Sequence, residues 1–284
     1  MVLEISLVII TLIWLLFASI SDLKTMEVPD WISYSLISIG IFIKLTQSII
    51  ENNLSILLES ALGFTIFFLI ALTLYYTKQW GGGDAKLLIG LGIIFPTYPS
   101  TLLTYFNPNL NIPFLATILL NLLIAGGIVG MIYTFWILIK RKKDLEKQLS
   151  KKKLNILKIF LLLSILIFTS SFFVQLKLKL ILISISLILI LFPLMKILKS
   201  VEKLMERKID VSKLTEGDWI IDNVYKNKKL IYNKNNPGIT LEGIKILKKA
   251  RIKYVTIKEG IPFIPSFLIA VLASLIYGSP LFFL

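Results

Sequence analysis

The sequence contains no cysteine and no histidine among its 284 residues. Without them the chain can form no disulfide, no thiol nucleophile, no Cys/His zinc site and no serine–histidine triad. Aspartate, glutamate, lysine and tyrosine are the side chains left for acid–base chemistry. We expect no metal ion and no other cofactor, because magnesium and calcium sites draw on more oxygen ligands than two short loops offer.

Acidic residues are scarce as well: 17 of them stand against 31 lysines and arginines, a formal net charge of +14. Most of the basic residues flank apolar segments or lie in 199–260. Membrane topology and contact with anionic lipid explain this distribution. Basic patches interleaved with exposed aromatic residues, which suit single-stranded nucleic acid, do not stand out. We therefore expect membrane lipid as a partner and no nucleic acid.

Long apolar runs are what the chain has in abundance, since 56% of its residues are hydrophobic. The runs approach the length of about 20 residues that a membrane-crossing helix needs. They cover about 5–21, 31–50, 61–77, 86–106, 112–139, 154–174, 178–198 and 261–284. The turn before 178–198 is short and carries lysines, which leaves the number of spans open. The pattern predicts an all-α polytopic membrane protein with six to eight transmembrane helices.

Lysine and arginine predict the orientation of these helices, because cytoplasmic loops carry an excess of them. The 140–153 loop holds eight basic residues against two acidic ones, which indicates a cytoplasmic loop. Counting spans back from it places 22–30 and 78–85 on the cytoplasmic side as well. The amino terminus is then external, and it lacks the basic start of a cleaved signal peptide.

Three segments follow from these patterns. Residues 1–198 are predicted to form the transmembrane core, and 261–284 to form a C-terminal transmembrane helix. Between them, 199–260 is the one long polar interval, and we expect it to be a small cytoplasmic α+β domain. Its strand-like runs are separated by a helix that Thr240 can cap.

A run of three glycines, Gly81, Gly82 and Gly83, precedes Asp84 where one apolar segment ends and the next begins. Irregular backbone at a membrane boundary survives only when it is buried in protein or lines a wet cavity. Glycine also lets another chain segment approach closely. Asp22 ends the first apolar run on the same predicted side, so the two acids can meet.

Two neighbouring aspartates can hydrolyse a peptide without a covalent intermediate. The ionised carboxylate takes a proton from water while its protonated partner polarises the scissile carbonyl. Like charges so close cannot both ionise cheaply, so the apparent pKa values separate and belong to the pair. The ordinary alternative is that Asp22 and Asp84 cap helices or meet lipid headgroups.

The run that ends in Asp84 fits the Gly-x-Gly-Asp signature of intramembrane aspartyl proteases. Asp22-Leu23-Lys24, followed by Val28-Pro29-Asp30, resembles the first-aspartate motif of type IV prepilin peptidases, and 260–267 resembles a stretch of archaeal preflagellin peptidases. The resemblance implies that Asp22 and Asp84 are the catalytic pair and that the glycines form the active-site loop. The cysteine-rich domain and N-methylation of many bacterial members are not implied, because the chain has no cysteine.

Pilin-like or archaellin precursors, with a short basic leader and a hydrophobic helix, are the substrates that the resemblance implies. Glu27 and Asp30 make the first predicted cytoplasmic loop acidic, and we expect them to attract the leader. Pro262, Phe263 and Pro265 are weaker candidates for shaping a substrate groove. The alternative for the prolines is that they start and bend a terminal helix.

Three other readings stay open. In a proton- or cation-coupled transporter, intramembrane acids such as Asp22 and Asp84 relay protons or bind a cation; their boundary positions and the lack of an inverted repeat count against it. A presenilin-like protease is the second, although the Pro-Ala-Leu motif of that group is missing. The third is a catalytically silent assembly protein, which would keep working without either aspartate.

Overall fold

The computed structural model describes residues 2–148, 151–226, 228–236, 238–258 and 260–281. Its helices are α1 Val2–Thr25, α2 Asp30–Ile50, α3 Ser55–Tyr76, α4 Gly82–Ile94, α5 Phe114–Lys140, α6 Lys142–Gln148, α7 Lys151–Ser170, α8 Leu176–Leu204, α9 Leu241–Lys249 and α10 Ile264–Ile276. Its strands are β1 Glu206–Asp210, β2 Trp219–Ile220, β3 Val224–Lys226, β4 Lys229–Tyr232 and β5 Tyr254–Lys258. Residues 149–150 of the predicted basic loop and 282–284 of the predicted last span lie outside the described residues.

Six helical segments of the described chain are long and apolar enough to cross a membrane. They are Val2–Thr25, Asp30–Ile50, Ser55–Tyr76, Phe114–Lys140, Asn155–Phe173 and Leu178–Leu204. The predicted class, a polytopic all-α membrane protein with a small strand-containing region, is confirmed. The uncertain pair of spans around residue 175 is present as two helices that pack on each other.

The chain divides into two compact units, Met1–Met131 with Ile209–Leu284, and Ile132–Lys208. In the second unit, α7 packs on α8, and a small cluster of apolar side chains joins the end of α5 to the end of α8. The Arg141 guanidinium donates a hydrogen bond to the Leu204 carbonyl there. Most of the predicted 140–153 loop is helical, because α6 occupies Lys142–Gln148, α5 ends at Lys140 and α7 begins at Lys151.

The first unit contains both candidate aspartates. Along α1, the buried side chains recur every three or four residues, as in Leu7, Thr11, Leu15, Ala18 and Asp22. This spacing keeps them on one face of the helix, and α10 packs against α1. Asp22 therefore continues an apolar stripe towards the protein interior at the carboxyl end of α1.

Two helices of this unit are shorter than the predicted spans at 86–106 and 261–284. Both α4 and α10 have 13 residues, or about 20 Å of helix, against about 30 Å for the hydrocarbon core of a bilayer. Proline explains the early end of α4, since Pro96 and Pro99 follow it closely and cannot continue a helix. Beyond α10, Gly278 takes a left-handed conformation with φ of 78°, and Pro280 follows.

Close backbone contact holds α4 in place between α2 and α3. A Cβ added to Gly63 would lie 2.1 Å from the Gly92 carbonyl oxygen, and one added to Gly92 would lie 2.4 Å from the Gly63 carbonyl oxygen. Only glycine at both positions allows α3 and α4 to approach this closely. Since α4 carries Asp84, this contact helps to place the second aspartate.

The polar interval contains the strands and a short helix, α9. In its larger sheet the strand order is β1-β5-β2, with β2 antiparallel to β5, and β3 pairs with β4 in a hairpin. Thr240 caps α9, because its hydroxyl accepts a 3.1 Å hydrogen bond from the Gly243 N–H. Apolar side chains from α9 and from the strands form a core of its own. Its bounds and its cytoplasmic position stay predictions.

We expect Gly92→Ala to destabilise the protein by about 1–3 kcal/mol, the usual cost of overpacking a tight interior. The measurement is thermal or denaturant unfolding of the purified protein in detergent. Gly130→Ala is the matched control, because nothing lies within 4 Å of a Cβ added there. Equal stability of the two variants would contradict the packing account.

Candidate active site

Asp22 lies in the last turn of α1 and is only 6% exposed. Its carboxylate Oδ2 accepts a 2.9 Å hydrogen bond from the backbone N–H of Ile264, the first residue of α10. Burying a carboxylate is costly unless it is hydrogen-bonded, and the amino end of a helix supplies free N–H groups and a favourable dipole. The start of α10 therefore stabilises the charged form of Asp22.

Asp84 is the third residue of α4. Its Oδ2 accepts a 2.9 Å hydrogen bond from the backbone N–H of Gly81, the residue that caps the helix. This is one half of a capping box, and the reciprocal bond cannot form because Gly81 has no side chain. Gly81 is extended, while Gly82 and Gly83 make the first turn of the helix, so the glycine run turns directly into α4.

The two aspartate loops pack on each other. A Cβ added to Gly83 would lie 3.0 Å from the Val28 Cβ, so the glycine allows the first loop to pack on the start of α4. Two residues after Asp84, the Lys86 Nζ pairs with the Asp30 carboxylate at 2.5 Å. The contacts of Val28 and Asp30 thus hold the two loops together beside the aspartates.

The electrostatics favour a proton on Asp84, which lies outside the six membrane-crossing segments. Burial raises the pKa of Asp84 to about 7; the Gly81 N–H opposes this shift, and the negative charge of Asp22 adds to it. The carboxylates are therefore near enough to influence each other. Near neutral pH, such a pair can hold one protonated and one ionised carboxyl group.

Both acidic side chains predicted to bind the leader are exposed at the edge of this site. Glu27 Oε1 accepts a 2.5 Å hydrogen bond from the Thr215 hydroxyl of the α+β domain. Asp30 forms a salt bridge with Lys86. The sequence did not indicate this interaction. Their negative charges still face solvent, and their role in binding a substrate stays a prediction.

The three candidates of the terminal segment lie at the start of α10. Pro262 is buried, Phe263 occupies the capping position, and Pro265 lies in the first turn. Proline is favoured there because the first N–H groups of a helix have no partner within it. The alternative that the prolines start the helix accounts for the observed positions, and a groove-shaping role stays a prediction.

Ile264 is the contact that sequence reasoning missed. Its contribution is a backbone N–H, which any residue except proline offers, and it lies 242 residues from Asp22. The available signal was Pro265, because a proline in the first turn marks a helix start with free N–H donors. Within the described ranges, no cluster of three or more acidic side chains is arranged to hold a metal ion.

Comparison with known proteins gives a family match. The Type IV leader peptidase family matches residues 9–135. Preflagellin peptidase of Methanococcus maripaludis is 31% identical over 133 residues, which are 47% of this chain and 57% of that protein. Preflagellin peptidase of Methanocaldococcus jannaschii is 33% identical over 103 residues, 36% of this chain and 44% of that protein.

A third relative is prepilin peptidase EppA of Methanothermobacter thermautotrophicus, 27% identical over 150 residues, which are 51% of this chain and 39% of that protein. The chain thus spans about half the length of the curated relatives it matches. No solved structure matches it. The matched segment contains both Asp22 and Asp84. The amino-terminal part of this chain, residues 9–135, is therefore similar to the type IV leader peptidase family.

Proposed function

We propose that the protein is an aspartic endopeptidase of the Gly-x-Gly-Asp type. It removes short basic leader peptides from preflagellin- and prepilin-like precursors at the cytoplasmic face of the cell membrane. The observation that carries the proposal is that Asp22 and Asp84 lie at the ends of two helices whose loops pack on each other, inside the matched segment. The names of the relatives, preflagellin peptidase and prepilin peptidase, support this choice of substrate.

The geometry supports a division of labour between the two acids. Asp22, which accepts the Ile264 N–H, is the ionised group and takes a proton from the attacking water. Asp84, whose pKa is raised, donates a hydrogen bond to the oxygen of the scissile carbonyl. Water adds to the carbonyl carbon and gives a tetrahedral intermediate. Its collapse breaks the C–N bond as a proton passes to the leaving amine.

The surroundings fit a substrate that is basic at one end and apolar at the other. Glu27 places negative charge at the rim of the site, where a positive leader gains from it. Asp30 lies at the same rim, and Lys86 balances part of its charge. Many apolar side chains on the membrane-crossing helices are exposed, so a substrate helix can lie against them in the bilayer. This arrangement brings the bond after the leader to the membrane edge.

Removing either carboxylate should abolish cleavage. We expect Asp22→Asn and Asp84→Asn each to lower kcat/KM by about 10²–10⁴-fold, the usual contribution of a general acid or base. The assay follows cleavage of a basic-leader pilin-like precursor in membranes with equal amounts of inserted protein. Asp222→Asn, at an exposed aspartate of the α+β domain, is the control and should cleave normally. Retained cleavage in either active-site variant would remove that residue from the mechanism.

Cleavage should fall as the pH rises through about 7. A raised pKa means that Asp84 keeps its proton below that pH and loses it above, and the doubly ionised pair cannot donate to the carbonyl. The measurement is kcat/KM from pH 5 to 9 in detergent, and the midpoint belongs to the pair. A kcat/KM that keeps rising up to pH 9 would contradict the assignment of Asp84 as the acid.

Charge reversal at the rim should weaken substrate binding. We expect the Glu27→Lys/Asp30→Lys double variant to raise KM several-fold, because the basic leader then meets like charge. Glu51→Lys is the matched control, since Glu51 ends the same helix that Asp30 begins. The effect should shrink with a precursor whose leader carries no basic residues. An unchanged KM for the basic leader would refute leader docking at this rim.

A further inference from the structure

We propose that the first turn of α10, residues 263–267, is a positioning element that aligns the two aspartates with each other. It holds Asp22 directly and the loop of Asp84 through Trp80. The inference rests on the proposed function and deepens it, because it adds a part of the chain outside the family segment 9–135. Phe263 and Ile264 are positioning residues in this account.

The link to Asp22 is the hydrogen bond from the Ile264 backbone. Ile264 is 0% exposed, so water does not compete for its N–H. A backbone donor at the start of a helix is fixed by the helix itself, whereas a side-chain donor can rotate away. The bond therefore determines where one oxygen of Asp22 lies.

The link to Asp84 is a cluster of three aromatic rings. Trp80, the residue before Gly81, is 8% exposed. Its ring centroid lies 5.4 Å from that of Phe263 and 5.5 Å from that of Phe267, and the two phenylalanine rings are 5.9 Å apart. Movement of these rings moves Trp80, and with it the Gly81 N–H that holds Asp84.

The aromatic cluster packs against α5. A Cβ added to Gly126 would lie 2.4 Å from Cε2 of Phe263 and 2.6 Å from its Cζ. The Phe263 ring therefore occupies its position only because residue 126 is glycine. The next residue, Gly127, has space for a side chain, since nothing lies within 4 Å of a Cβ added there. The chain thus offers two neighbouring glycines, one in contact with the cluster and one without contact.

Alignment at this level matters for the reaction. Two carboxyl groups can share one proton only at hydrogen-bond distance, and a misplacement of about 1 Å can cost about 10²-fold in rate. Asp22 and Trp80 both contact the first turn of α10, Asp22 through the Ile264 N–H and Trp80 through the rings of Phe263 and Phe267. The first turn of α10 is therefore suited to set the distance between Asp22 and Asp84. This role goes beyond stabilising the fold.

The first test compares Gly126→Ala with Gly127→Ala. We expect Gly126→Ala to lower kcat at least tenfold with KM within twofold of the wild type, because the alignment changes while the rim does not. Gly127→Ala should keep both values. Phe263→Leu in the wild-type background, which removes the ring that contacts Trp80, should also lower kcat with KM within twofold. Normal kcat in folded Gly126→Ala protein, or equal losses in both alanine variants, would overturn the inference.

A second measurement does not depend on cleavage. Hydrogen–deuterium exchange of the Ile264 amide, resolved by fragmentation mass spectrometry, should be slower in the wild type than in Asp22→Ala. Equal exchange would show that the bond is absent and would overturn the inference, while the proposed function would stand if the wild type cleaves. A protected Ile264 amide in a protein that cleaves no precursor would instead contradict the proposed function alone.

Discussion

A carboxylate buried against apolar helices is the constraint on which this site depends. Asp22 continues the buried stripe of α1, and an uncompensated charge there would cost several kcal/mol. The compensation comes from the Ile264 N–H at the start of α10. One hydrogen bond thus ties the first membrane-crossing helix to the last helix of the described chain, and it requires that α10 begin at the depth of Asp22.

The two short helices, α4 and α10, share one geometry. Both α4 and α10 direct their amino ends to the aspartates, where free N–H groups and the helix dipole favour negative charge. A helix of 13 residues does not cross the hydrocarbon core by itself, so each depends on longer neighbours. The glycine contact between α3 and α4 and the packing of α10 on α1 provide that support.

Much of the site could be predicted from the sequence, because its strongest signals are local. The glycine run before Asp84, the aspartate that ends the first apolar run, and the cap at Thr240 each appear within a few residues. The lengths of α4 and α10 could not be predicted from hydropathy, since apolar residues continue past the proline and glycine that end these helices. The Ile264 donor was hidden because a backbone N–H leaves no mark in the sequence.

The pairing of Lys86 with Asp30 was missed for a related reason. Charge patterns indicate which side of the membrane a lysine prefers, but not which carboxylate it meets across two loops. That meeting depends on Gly83 and Val28, which bring the loops together. Local sequence signals thus indicated the two candidate aspartates, whereas the contacts around them arise only in the folded chain.

The central claim is that Asp22 and Asp84 titrate as one coupled pair. Infrared difference spectroscopy of the protonated carboxyl band, recorded against pH for the wild type and for Asp22→Asn, tests it most directly. Asp84→Asn identifies the band of Asp84. The account predicts that Asp84 loses its proton at lower pH in Asp22→Asn than in the wild type, because the neighbouring negative charge is gone. The same midpoint in both proteins would contradict it.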